Sequence, residues 1–402
     1  MPITRCSALE LLSAAAVAMP AATAAPRRET GWTPPRAFDL EQSWPWIKSY
    51  RRAAIRLHPE AVAQPLPPAA SKIGGAFLWP SNEAWPFCRE RDPEHEIKAQ
   101  TWEDFREHQR DAKLTKRMFK PGTNLKLTAP QFERMFEREK AKDLPQLTSA
   151  ELAAARKTFD EMNALMAQMK LPHHIAYLPV IQLRRDKFPE LPWPSGKDIF
   201  QLLWCPRVHW EGNGMHDPEE PPRQSPGFVL KWRTERMVGP VLTKPPKPRE
   251  SPGLTECTLH PEEIVEYPQA EEFGHDQIQP HLDRLAPRLL ARPGGSEGTD
   301  AHWRYSFDVA VAPGSKLLGY PQWIQGDETP ECTGCGSRMR LLVTCASQED
   351  SRNAVWSPAA RRAQPDRFEN PSSQNWGDWS NAYILFCAKC QPLRIRSIVQ
   401  TS

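Results

Sequence analysis

The chain has 402 residues. Beyond its first 25 residues it has no run of roughly 18 or more apolar residues, which excludes a transmembrane helix. Charge of one sign is also missing. The 52 Lys and Arg nearly cancel the 49 Asp and Glu, leaving +3, so a nucleic-acid scaffold held by bulk electrostatics is excluded. There is no Walker loop, no dinucleotide fingerprint and no His-Glu-x-x-His. Gly294-Gly295-Ser296-Glu297-Gly298 matches the letters of a nucleophile elbow, but no strand precedes it and Pro293 adjoins it. No catalytic set assembles. Tyrosine is scarce, at 6, whereas tryptophan reaches 15 and proline 43. That much proline prevents long helices from dominating, and that much tryptophan implies a core or groove built from large aromatics.

The first 25 residues imitate a secretory signal, with Arg5 before an alanine-rich run and Ala-Thr-Ala ending at Ala24. Glu10 and Ser13 interrupt the run and Pro20 breaks it, so residues 1–35 read as a disordered leader and the protein as cytoplasmic. A short helix is expected around Trp46–Leu57. Residues 97–170 read as a charged helical insertion. Thr101 with Asp104, Thr128 with Gln131 and Thr148 with Glu151 have capping-box spacing. Leu152, Ala155, Phe159, Met162, Leu165 and Met169 then mark an apolar face expected to pack on the body of the protein. Strands are expected at LPVIQL, IFQLLWC, FVLKW, WRYSFDVAVA, MRLLVTCA and NAYILFC. Residues 240–256 and 266–300 read as loops or linkers, and 347–375 as a mobile polar excursion.

One repeat is visible. Lys72, Gly75, Trp79 and Cys88 recur 244 residues later as Lys316, Gly319, Trp323 and Cys332. FQLLWC and YILFC are likewise two apolar strands that each run into a cysteine. The expected fold is therefore α+β, predominantly β: two similar β-rich lobes from internal duplication, spanning 36–265 and 301–402 and joined by a linker at 266–300.

Cys332-Thr-Gly-Cys335 and Cys387-Ala-Lys-Cys390 are two Cys-x-x-Cys knuckles. Four thiolates suit a tetrahedral zinc ion, and a site closed by four protein ligands leaves no position for water. This zinc is expected to be structural. Nine cysteines, an odd number with four in such pairs, suit a metal in a reducing compartment better than a disulfide framework. A second metal site is a weaker candidate, built from Cys88, Cys205 and His209. Arg91 stands where a second knuckle cysteine would be, so His95, His173 or His174 would have to complete the set. Cys257 and His260 form a third ligand-like pair.

These segments carry a resemblance. KIGG with WPSNEAWPFC, LPVIQL with LPWPSGKDIFQLLWCPRVH, CTLHPEEIVEYP, LLGYPQWIQGDETPECTGCGSRMRLLVTCAS and WGDWSNAYILFCAKC look like the bacterial YwqG-like family of uncharacterised function. The match spans residues 70–96 and 171–395. The C-terminal part also resembles the zinc module of programmed cell death protein 2. The resemblance implies a duplicated, β-rich, non-enzymatic fold that binds protein partners, as a chaperone or an immunity factor, with Cys332, Cys335, Cys387 and Cys390 holding zinc. The expected function is therefore a zinc-stabilised protein- or peptide-binding protein with no membrane or nucleic-acid partner. Trp79, Trp85, Trp193 and Trp323 are its candidate anchors in a groove between lobes. The rival readings are a metal-dependent hydrolase at Cys88/Cys205/His209 and an RNA-binding zinc protein using Arg338, Arg340, Arg394 and Arg396.

Overall fold

The computed structural model describes residues 30–36, 39–88, 101–118, 129–168, 175–206, 227–248, 253–291, 300–349, 353–377 and 380–401. Along the chain the strands are β1 (Arg52–Arg56), β2 (Glu60–Ala61), β3 (Lys72–Ile73), β4 (Phe87–Cys88), β5 (Ile175–Ala176), β6 (Leu178–Arg184) and β7 (Ile199–Trp204). They continue as β8 (Phe228–Arg233), β9 (Cys257–Thr258), β10 (Glu262–Glu266), β11 (Lys316–Leu318), β12 (Arg340–Ala346), β13 (Asn381–Phe386) and β14 (Ile395–Gln400). The helices are α1 (Leu40–Ser43), α2 (Trp102–Met118), α3 (Ala129–Lys142), α4 (Ser149–Gln168), α5 (His275–Leu290), α6 (Ala301–Tyr305), α7 (Ala359–Arg362) and α8 (Pro365–Phe368). None of the described helices is long and apolar enough to cross a membrane.

Strands such as β6, β7 and β13 are nearly continuous apolar runs, so both of their faces must be covered. The fold meets that need with two antiparallel six-stranded sheets, ordered β2-β9-β3-β6-β7-β8 and β10-β1-β11-β12-β13-β14. Ile73, Val180, Ile181 and Leu202 of the first sheet share one core with Leu317, Leu342, Val343 and Ile384 of the second. The two sheets also share a register. Lys72 lies opposite Gln182 and Ile73 opposite Ile181, as Lys316 lies opposite Thr344 and Leu317 opposite Val343. Leu178 and Pro179 pair with Trp204 and Leu203 before a bulge at Val180. Arg340 and Leu341 pair with Phe386 and Leu385 before a bulge at Leu342. Both bulged side chains are buried in the shared core.

Each sheet also pins the turn after its short strand with a buried ion pair. Lys72 Nζ lies 2.8 Å from Glu256 Oε1, and Lys316 Nζ 2.6 Å from Glu266 Oε1. The next residues turn left-handed, Gly74 and Gly75 at φ +65° and +70°, Leu318 and Gly319 at φ +59° and +69°. A Cβ at Gly75 would sit 2.3 Å from the Glu256 side chain, and one at Gly319 would sit 2.2 Å from Glu266 Oε2. Close approach of the carboxylate, together with the positive φ, requires glycine at both places.

Several expectations are corrected. Among the described residues helix, at 31%, outweighs strand, at 22%, so the fold is mixed rather than predominantly β. The lobe boundaries cut through a sheet: β1 and all of β10 but Glu266 fall within 36–265, yet both strands hydrogen-bond in the second sheet. The supposed linker contains α5, with Pro280 and Pro287 inside it. Ile278, Leu282, Leu285 and Leu289 are buried with Trp44 and Tyr305, and this packing offsets the cost of about 3 kcal/mol for an interior proline. WRYSFDVAVA is not a strand. Asp300 caps α6 by accepting from the Trp303 amide at 2.8 Å, and one π turn follows over Ser306–Ala310. The helix expected over Trp46–Leu57 is a 3₁₀ segment, Pro45–Tyr50, that runs into β1. Within 347–375 the described residues are packed, with Val355, Trp356 and Phe368 buried. The insertion is helical as expected, and Thr101/Asp104 and Thr148/Glu151 form reciprocal caps; Thr128 lies outside the described residues. Ala155 and Phe159 of α4 pack on Phe105 of α2, giving the insertion a small core of its own.

Candidate metal centre

β12 and β13 are paired neighbours, so the chain entering one and leaving the other lie at the same end of the sheet. That placement brings Cys332 and Cys335, before β12, to Cys387 and Cys390, after β13. The first knuckle is a tight turn. The Gly336 amide donates to Cys332 O at 2.7 Å, the Cys335 amide to the same oxygen at 3.2 Å, and the Cys332 amide to Ser337 O at 2.8 Å. Gly336 turns at φ +64°, a region that disfavours a side chain. A Cβ at Gly334 would meet Arg394 Nε at 2.5 Å, and the Gly334 amide donates to Cys332 Sγ at 3.4 Å. The second knuckle is closed by the Cys387 amide donating to Arg394 O at 2.9 Å.

All four sulfurs lie within 4.8 Å of one another. Cys332 Sγ is 3.7 Å from Cys390 Sγ, and Cys335 Sγ is 3.5 Å from Cys387 Sγ. Four thiolates about 2.3 Å from a central ion would stand roughly 3.8 Å apart at tetrahedral angles. The cluster is therefore close enough to bind a metal ion. Its inner side rests on Trp323, Leu341, Tyr383, Leu385 and Ile398, while Cys335 faces solvent. Ser337, by its hydroxyl and then its amide, draws the Cys335 thiol down to about 6. The Gly334 amide lowers Cys332. Neighbouring thiols, Cys335 first, push Cys390 up to about 12. Four sulfurs this close cannot all ionise without a cation among them, which is the chemistry of a metal site.

The corresponding end of the first sheet differs. Cys88 on β4 and Cys205 after β7 are both buried in one apolar cluster with Trp79, Trp85, Ile175 and Leu203. The Cys205 amide donates to Gly227 O at 2.8 Å, the counterpart of the Cys387 contact. Cys88 and Cys205 are brought together, but among the described residues only the four-cysteine group gathers three or more candidate ligands. Arg91, His95, His173, His174 and His209 lie outside the described residues. Cys257 and His260 do not form a knuckle: Cys257 Sγ contacts Thr255 O at 3.5 Å, whereas His260 lies 3.3 Å from Glu60 and stacks on Trp32.

The four tryptophans do not line a groove. Trp79, Trp85 and Trp323 are 1%, 6% and 2% exposed. Trp79 and Trp85 pack on each other at 4.9 Å, and Trp323 packs on Tyr383 at 4.8 Å. The half-buried Trp193 donates to Phe188 O and meets Trp232 edge-on at 5.0 Å. Trp79, Trp85 and Trp323 cover apolar area in clusters on the outer faces of the sheets, and Trp193 packs against the shared core between them.

Sequence reading missed the two Lys–Glu pairs and a buried cluster around His58, which sits at φ +42°. Its Nε2 lies 3.1 Å from Glu262 Oε2, and the Arg361 guanidinium lies 2.9 Å from its Nδ1. The repeated lysine was a usable signal for the pairs. Nothing local could have found Arg361, which is 303 residues from His58. Compared with known proteins, the chain matches no family model and no curated protein.

Proposed function

We propose that the chain is a non-enzymatic protein- or peptide-binding protein, chaperone-like or immunity-like, whose fold is stabilised by zinc held by Cys332, Cys335, Cys387 and Cys390. The observation that carries the reading is the cluster itself, with facing sulfurs 3.5 and 3.7 Å apart. Those spacings suit a thiolate-held tetrahedral ion whose four corners are all supplied by protein. Zinc so enclosed has no open position for water and serves stability rather than catalysis. Thiols kept for a metal suit a reducing compartment, which supports a cytoplasmic location.

The proposal includes an origin by duplication from a YwqG-like ancestor. Its support is the common order of four strands, β3-β6-β7-β8 and β11-β12-β13-β14, with the same register, bulge position and left-handed turn. The motifs quoted for the resemblance fall on β3, β6, β7, β9, β11, β12 and β13, the strands that build those sheets.

The test is native mass spectrometry of tagged protein purified gently from its own cells under reducing conditions. A bound zinc and a stoichiometric protein partner are expected. A lone chain that carries zinc and turns over a substrate would overturn the binding reading, and a chain without any metal would overturn the zinc assignment.

A further inference from the structure

Behind the metal centre lies a cavity of about 170 Å³. Its apolar wall is Pro321, Leu341 and Leu385, and Arg52, Arg338, Arg340 and Glu272 also line it. Arg338 is already engaged, bound to Asp327 and 3.6 Å from Glu272 Oε2. The other two guanidiniums are not. Arg52 stacks over the Tyr320 ring at 3.9 Å and donates to Gly319 O at 3.4 Å. Among the described residues neither Arg52 nor Arg340 has a carboxylate at ion-pair distance. Burial, and then Arg340 among its cationic neighbours, lowers the Arg52 pKa. Two guanidiniums with no direct ion pair, set against an apolar wall and only one lining carboxylate, Glu272, are the recognition elements for an oxyanion on a carbon chain, since arginine binds carboxylates in bidentate geometry.

We propose that this cavity binds a carboxylate, gripped by Arg52 and Arg340 with its carbon chain on Pro321, Leu341 and Leu385. The proposal stands independently of the protein-binding reading, because the carboxylate can belong to a free acid or to an acidic side chain of a peptide. Glu272 makes the cavity sensitive to pH. It is faced by Asp327, Arg338 and Arg52, with Tyr305, Tyr320 and Lys316 within electrostatic reach. Burial, and then Asp327, raises it to about 7. Its protonation removes a negative charge beside the bound anion, so affinity is greater below neutrality and declines as pH rises past it.

The experiment uses the full, metal-loaded chain with ¹⁵N-labelled arginine. The Nε–Hε signals are followed during titration with succinate and, separately, with the capped tripeptide acetyl-Ala-Glu-Ala-amide. Saturable shifts at Arg52 and Arg340 are expected with at least one probe. Succinate alone would identify a free acid, the peptide alone an acidic segment. Arg340→Met should weaken binding roughly tenfold or more and retain the metal, and Arg236→Ala should leave binding unchanged. No saturable shift with either probe overturns the proposal, as does an Arg340→Met protein that binds equally well.

Discussion

The two sheets carry cysteines at matching strand ends and use them in opposite ways. In the second sheet Cys332 and Cys387 are joined by Cys335 and Cys390, and four sulfurs converge. Beside the first, Cys88 on the two-stranded β4–β5 ribbon and Cys205 after β7 are buried among Trp79, Trp85 and aliphatic side chains. The comparison teaches that the framework tolerates two solutions for closing the same end of a sheet. One gathers four thiols close enough to hold an ion, which needs a second cysteine in each knuckle. The other uses apolar area, for which large indoles are efficient.

Breaking the metal end should have the largest effect. Cys335→Ser or Cys387→Ser is expected to abolish stoichiometric metal, measured by native mass spectrometry. It should lower the unfolding midpoint by roughly 10 °C, as loss of a few kcal/mol shifts a domain of this class by about 2–4 °C per kcal/mol. By contrast, Cys205→Ala should leave the metal content intact and cost about 1–2 kcal/mol in denaturant unfolding, the effect of a small buried cavity. Equal metal loss in the two variants would erase the distinction between the ends.

The ion pairs sharpen the comparison. Glu266→Gln leaves Lys316, which is 0% exposed, as a buried charge without its partner, with an expected loss of about 3–5 kcal/mol. Glu256→Gln should cost less, about 1–2 kcal/mol, because Glu256 is 15% exposed. Chemical denaturation of the two variants side by side measures the difference.

A further effect comes with acid. Burial, followed by Arg56, depresses His58 to about 3, so the folded protein holds it neutral while the unfolded chain protonates near 6.5. A depressed folded-state pKa contributes stability that is present above the unfolded value and lost as pH falls through the window from 6.5 to about 3. Denaturation midpoints should fall across that window, and His58→Gln should be less stable at neutral pH with a shallower acid dependence. An unchanged slope in the variant would remove His58 from the explanation.

How much of this was legible depended on how local the cause was. β6, β7, β8, β12 and β13 were readable because four to seven consecutive apolar or alternating residues mark a strand without reference to anything else. The caps at Thr101 and Thr148 were readable for the same reason, since donor and acceptor lie three residues apart. α5 was not, because its prolines argue against a helix locally and only the cluster around Trp44 and Tyr305 outweighs them. The strand expected at 303–312 failed for the same reason: an apolar run suits either conformation, and Asp300 together with α5 decided it.

The amino-acid sequence by itself determined the four cysteines that could hold a metal ion, since paired Cys-x-x-Cys spacing is a property of the local chain, and it determined most of the long strands of the two sheets. Only the tertiary structure decided that β1 and β10 belong to the second sheet, that Trp79, Trp85, Trp193 and Trp323 pack into apolar clusters, and that Arg52 and Arg340 line one cavity. These are outcomes of competition for burial and for ion-pair partners among residues hundreds of positions apart, which no local spacing encodes.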